Sequence, residues 1–151
     1  MGVILETDAD RALEARTMQR IIEASRQGAT AVKLPALAVI DYLVAVDGVI
    51  AAGIEIKTRK ETMEKIQTYG GLMLKHRKVH ELNTLGEALQ APMIVAFAFE
   101  NGEGPVLFAG TKQLETLEPV PPPPRRNYRG LACDEEPVIF LDWDKHLLRY
   151  V

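Results

Sequence analysis

Asp41, Glu55 and Lys57 are the residues of this chain whose types and placement promise chemistry. They lie in two strand-like runs that are otherwise mainly apolar, Val39-Ile40-Asp41-Tyr42-Leu43-Val44-Ala45-Val46 and Val49-Ile50-Ala51-Ala52-Gly53-Ile54-Glu55-Ile56-Lys57. An unpaired charge buried in such a strand is costly. Charges kept there face a cleft, pair with one another or hold a metal. Two carboxylates offer hard oxygen ligands to a divalent cation. Lys57, two residues after Glu55, projects from the same side of its strand. The set points to metal-dependent hydrolysis, with the lysine beside the attacking water.

Whether the two carboxylates can cooperate depends on strand register. Asp47-Gly48 is a hairpin signal. With those two residues as the whole loop, Val46 opposes Val49 and Asp41 opposes Ile54, so the carboxylates fall on different faces. A three-residue loop, Val46-Asp47-Gly48, with Gly48 in the left-handed region as a bulge, restores a shared face. Asp41 then opposes Gly53 and Glu55 opposes Val39. The other face becomes Ile40, Tyr42, Val44, Val46, Ile50, Ala52, Ile54 and Ile56, a coherent core layer. A one-residue slip reverses every side chain, so the apolar pattern favours the bulged register.

The elements that must position these residues follow from periodicity. Residues 8–27 read as a helix, capped by Asp8 and closed by Gly28, with Leu13, Met18, Ile21 and Ile22 as its stripe. Residues 31–34 read as a short strand ended by Pro35, and the hairpin of residues 38–46 and 49–57 follows. Residues 58–71 read as a loop, 75–90 as a second helix, and 92–99 and 105–109 as strands. The order α-β-β-β-α-β-β makes one α/β domain over residues 1–118. Pro119 and Pro121 to Pro124 then form a stiff spacer. Residues 119–151 read as an appended arm carrying Arg125, Arg126, Arg129 and a final strand-like run, Pro137 to Trp143.

Composition narrows the function classes. The 151 residues, 47% hydrophobic and 26% charged, suit a soluble globular protein with a real core. One cysteine, Cys133, excludes an internal disulfide framework and fits a reducing compartment, the cytoplasm, or the host cytoplasm for a viral protein. The apolar stretches are too short to span a bilayer, so no membrane association is expected. A net charge of −3 argues against nucleic-acid binding by bulk charge. It leaves open a nuclease, whose centre needs carboxylates and whose nucleic-acid contacts come from local basic clusters.

Other residues carry weaker signals. Glu14 reads either as a helix-surface glutamate or as a further ligand delivered by the first helix. Lys75, His76, Arg77, Lys78 and His80 crowd the second helix start, and most suit a solvated face. His76 and His80 have zinc-compatible spacing but no third partner. Lys78 stands apart, because a helix start near a metal centre can meet a phosphate. Arg125, Arg126 and Arg129 either contact phosphates or solubilise a tail. Cys133 reads as a passive thiol and Trp143 as a packing anchor.

These residues resemble the PD-(D/E)XK nuclease superfamily, particularly small Holliday-junction-resolvase-like endonucleases of phages and prophages. Asp41 matches the motif aspartate, and Ile54-Glu55-Ile56-Lys57 matches the Glu-x-Lys strand. Leu72-Met73-Leu74-Lys75-His76-Arg77-Lys78 resembles the opening of the second core helix, with Lys78 at a basic position. Ala91-Pro92-Met93-Ile94-Val95 resembles the next strand. Arg126-x-x-Arg129 and Asp134-Glu135-Glu136-Pro137-Val138 resemble the ending of such phage proteins. Ile40 stands where the superfamily is named for a proline.

The resemblance implies a restriction-endonuclease-like αβββαβ core, a mixed sheet flanked by helices. It implies hydrolysis of DNA phosphodiesters, with branched recombination or replication intermediates as candidate substrates. Asp41, Glu55 and the Ile56 carbonyl would hold Mg²⁺ or Mn²⁺, with Glu14 as the candidate further ligand, and Lys57 would orient the water. Lys78, Arg125, Arg126 and Arg129 would contact DNA. A homodimer is expected, because a stiff spacer carries the arm toward a neighbour and two centres suit paired cuts. A catalytically silent nucleic-acid-binding module and a phage assembly protein remain the competing classes.

Overall fold

The computed structural model describes residues 7–25, 27–35, 38–68, 71–122 and 136–149. Helix α1 (Asp8–Ala24) starts at a reciprocal cap. The Thr7 hydroxyl accepts from the Asp10 amide, and the Asp10 carboxylate accepts from the Thr7 amide. Thr7 is therefore the cap, where the sequence suggested Asp8. Three strands follow, β1 (Ala29–Lys33), β2 (Tyr42–Val46) and β3 (Val49–Thr58). Then come α2 (Met63–Thr68), β4 (Leu72–Lys75), α3 (His76–Leu89), β5 (Met93–Ala98) and β6 (Val106–Gly110). Short elements close the chain: α4 (Thr111–Leu114), β7 (Val138–Leu141), α5 (Trp143–His146) and β8 (Leu148–Arg149).

The main sheet has the order β1-β2-β3-β5-β6-β8. Only β3 and β5 run parallel; the other neighbours are antiparallel. Alternation along the strands sends side chains to two layers. Tyr42, Val44, Ile54, Ile56, Ala96, Ala98 and Val106 pack with Met18 and Ile21 of α1. Val95, Phe97, Leu107 and Ala109 pack with Val79 and Leu82 of α3. A Cβ at Gly53 would press on the ends of the Ile40 and Met93 side chains, which lie over it. Ile40 thus joins the α3-side layer and not the layer of Tyr42 and Val44, and at the tip Ile50 is exposed.

The hairpin achieves the required parity by a different route from the expected three-residue loop. Asp47 and Gly48 both have positive φ and form a two-residue turn, with Val46 opposite Val49. The extra residue is Ala51, in β3: Ala45 pairs with Ile50 and Val44 with Ala52. This bulge shifts the remaining register, so that Tyr42 faces Ile54. Gly53 faces Leu43, not Asp41 as expected, and Asp41 lies just beyond the last pair of the ladder.

Two elements depart from the linear reading. Residues 58–71 include α2, and Leu72–Lys75 form a strand instead of opening the second helix. Both β4 and β7 belong to a separate two-stranded sheet. In it Leu72 pairs with Leu141 and Lys75 with Val138. Ile139, Leu141 and Leu147 enter the α3-side core, β8 joins the main sheet, and Val120 bridges to Val138. Residues 136–149, read as an arm favouring a neighbour, therefore pair with β4 and β6 of their own chain. Ile139 has no exposed surface, whereas Phe140 on the opposite face is 38% exposed. Ile139→Ala should cost about 2–5 kcal/mol of unfolding free energy. Phe140→Ala should cost less, and urea denaturation of the two variants measures the difference.

Candidate active site

Asp41 lies where β2 ends, close enough to Glu55 to act on it electrostatically. Gly53 and Arg59 donate their amides to Pro92 and Ala98 on the β5 side. Backbone groups alternate in direction along a strand, so those of Ile56 point to the other side, toward β2. The strand has already ended there. The Asp41 carboxylate takes the place of the missing ladder partner and accepts from the Ile56 amide at 2.8 Å. The Ile56 carbonyl points to the same edge, beside the carboxylates.

Glu55 projects to the α3 side and is only 6% exposed. Lys57 Nζ lies 3.7 Å from its Oε1, and Lys78 Nζ lies 3.1 Å from its Oε2. Lys78 stands in the first turn of α3 and also reaches the Val39 carbonyl. Glu55 Oε2 is buried and makes no aligned hydrogen bond, so the lysine contact is one of charge more than geometry. Glu14, buried on α1, comes from the opposite layer. Its Oε1 is 2.6 Å from Lys33 Nζ, which is 3.8 Å from Asp41 Oδ1 and 5.1 Å from the centre of the Tyr42 ring. Three carboxylates, Glu14, Asp41 and Glu55, thus interleave with three ammoniums, Lys33, Lys57 and Lys78.

Burial pushes the Glu55 carboxyl above its ordinary value; Lys57 opposes this, Asp41 reinforces it, and Lys78 opposes it. Burial pulls the Lys33 ammonium down, but Glu14 and Asp41 outweigh it and hold the ammonium above its usual range. Among the described residues, no three His, Cys, Asp or Glu side chains converge as a ready ligand set. The donor chemistry nevertheless fits a divalent cation. Asp41 and Glu55 are hard oxygen donors whose mutual repulsion a cation would relieve. Glu55 also has a buried oxygen without an aligned partner. Glu14 is linked to this centre through Lys33, which is at ion-pair distance from both Glu14 and Asp41.

The structure brings Asp41, Glu55, Lys57, Ile56 and Lys78 together and sets Glu14 one lysine away. Arg125, Arg126, Arg129 and Cys133 lie outside the described residues. His80 pairs with Glu115 at 2.5 Å. Sequence reading missed Lys33. The available signal was a lysine in an apolar strand just before Pro35, the same signal that identified Lys57.

The sequence of residues 3–146 matches the profile of a family described as "Phage putative PDDEXK endonuclease". No curated protein matches the chain. Among solved structures, the fold is similar to that of Archaeoglobus fulgidus Hjc, a Holliday junction resolvase from an archaeal hyperthermophile. The TM-score is 0.53 at 18% identity, over 86% of this chain and 87% of that one. The fold is thus restriction-endonuclease-like. Among the described residues, no helix is long and apolar enough to cross a membrane.

The raised proton affinity of Glu55 has a measurable consequence. Stability linked to its protonation is fully present below the ordinary value near 4.5 and is lost as pH rises through the higher folded value. Glu55→Gln should therefore melt at a higher temperature than the parent near pH 7.5 without metal. The gap should close as pH falls below about 4.5, and thermal melts across pH measure it.

Proposed function

The chain belongs to this phage PDDEXK endonuclease family, and on that premise we propose that it is a metal-dependent DNA endonuclease centred on Asp41, Glu55 and Lys57. The observation that carries this reading is the shared edge. A bulge and a hydrogen bond to Ile56 set Asp41 beside Glu55, with Lys57 and Lys78 on Glu55.

Asp41, Glu55 and the Ile56 carbonyl would hold the cation. Bound there, Mg²⁺ or Mn²⁺ would supply Lewis acidity toward a phosphate and lower the pKa of a water. The amide of Ile56 holds one oxygen of the Asp41 carboxylate in place. Lys57 orients the attacking water and stabilises the charge that grows on the phosphoryl oxygens. Lys78, now on the other oxygen of Glu55, would offer its ammonium to a phosphate oxygen. Glu14 holds Lys33 by an ion pair and would be the further ligand, directly or through water.

The likeness to a Holliday junction resolvase supports branched recombination or replication intermediates as substrates. Arg125, Arg126 and Arg129 belong to the same proposal as further DNA contacts. A homodimer would supply two centres for paired cuts. Its support is that functional need, since residues 136–149 pair within their own chain.

Nicking of supercoiled plasmid and cleavage of a panel of branched and linear DNAs test the reading. The parent protein should cut with Mg²⁺ or Mn²⁺ and stop in EDTA. Asp41→Ala, Glu55→Ala and Lys57→Ala should each lose about 10²-fold or more. The first two should also weaken cation binding, while Lys57→Ala should not. Full activity in Glu55→Ala would refute the centre.

A further inference from the structure

Beside the carboxylate cluster lies a cleft of about 460 Å³. Its lining includes Lys57, Arg59, Lys75, Arg77 and Lys78, with Glu81 as the one acid. Four of these cations have carboxylates at ion-pair distance. Lys57 and Lys78 share Glu55, and Lys75 and Arg77 share Glu136. Arg59 differs. Its Nη1 donates to the Thr58 carbonyl at 2.9 Å, and Glu61 acts on it electrostatically without forming an ion pair. The guanidinium is half-buried, burial holds it below its usual range, and among the described residues no carboxylate stands at ion-pair distance from it.

Arg59 also stands at a telling position. Its amide donates to Ala98 at 2.8 Å, so the ladder between β3 and β5 persists to this residue. Glu55, Lys57 and Arg59 therefore follow one another on one side of the strand, in steps of about 6.6 Å. That is roughly the spacing of successive phosphates along a nucleic-acid strand. An arginine fork suits a phosphate better than a point charge does, because it can donate two parallel hydrogen bonds.

We propose that Arg59 binds the phosphodiester adjacent to the cleaved one on the same DNA strand, holding the backbone in register with Lys57. This rests on the nuclease reading above. The cleft would then track two successive phosphates, one at Lys57 and Lys78 and the next at Arg59. Lys75 and Arg77, held by Glu136, add positive potential at the rim.

The test is a scan in which single neutral methylphosphonates replace successive phosphates of a cleavable strand. Binding is read by fluorescence anisotropy in EDTA, where the strand stays intact. The parent protein should lose about tenfold in affinity when the neutral linkage sits next to the cleaved position. Arg59→Gln should lose a similar factor on unmodified DNA and become indifferent to that linkage. Its salt dependence should fall by about one phosphate contact. Arg59→Lys should restore the salt dependence but not the full affinity. The scan on the parent protein does not depend on how any variant folds. A parent protein that cuts DNA yet shows no sensitive phosphate beside the cleaved one overturns the role of Arg59 alone. So does an Arg59→Gln variant that keeps the parent's sensitivity. A parent protein that neither binds nor cuts DNA overturns the nuclease reading and this inference with it.

Discussion

A carboxylate buried in the middle of a sheet is the constraint on which this structure turns. Glu55 sits between Ile54 and Ile56, whose side chains fill the α1-side layer, and its own side chain is directed into the α3-side layer. An uncompensated charge there would be expensive. Compensation comes from Lys57 on the same strand and from Lys78 on α3. Lys78 can serve only if α3 begins close to β3. The start of α3 is fixed from the C-terminal side of the chain: β4 leads directly into it, β7 pairs with β4, and the His76 amide donates to the Pro137 carbonyl at 3.0 Å. Residues more than sixty positions further along the chain thereby help to place a cation on Glu55.

The same constraint explains why the charges alternate in sign. Asp41 could not approach Glu55 without cost unless something held it there, and the unpartnered Ile56 amide does so. Lys33 offsets Asp41 and Glu14 from the other layer. The centre is therefore close to balanced, with three carboxylates set among three ammoniums. The chain's net charge of −3 gives no hint of this. What matters for an anionic substrate is the local potential of the cleft, where arginines and lysines outnumber acids.

Much of the site was legible because strand periodicity leaves little freedom. The alternation of residues 39–57 demanded one extra residue in the hairpin, and the structure has one. Its position was not legible. A bulge at Gly48 and a bulge at Ala51 give the same parity, and the Asp-Gly turn satisfies its own φ requirements without help. The helices α1 and α3 and the strands β5 and β6 followed from local pattern within a few residues. Strand β4 did not, since Leu72-Met73-Leu74-Lys75 is too short to distinguish helix from strand. Its identity depends on pairing with Val138–Leu141, and the proline-rich stretch between them suggested separation. Lys33 and Arg59 were missed for a related reason. Lys33 carries the same local signal as Lys57, a lysine in an apolar strand, but its meaning lies in Glu14 and Asp41, brought from elsewhere in the chain, and that of Arg59 lies in the cleft it lines.

Anomalous scattering from crystals grown with Mn²⁺ tests whether Asp41 and Glu55 hold a cation. A peak is expected at the end of β2, within coordination distance of the Asp41 and Glu55 carboxylates and beside the Ile56 carbonyl, with Lys78 withdrawn from Glu55. Mn²⁺-saturated crystals with no peak between Asp41 and Glu55, and with both lysines still on Glu55, would contradict it.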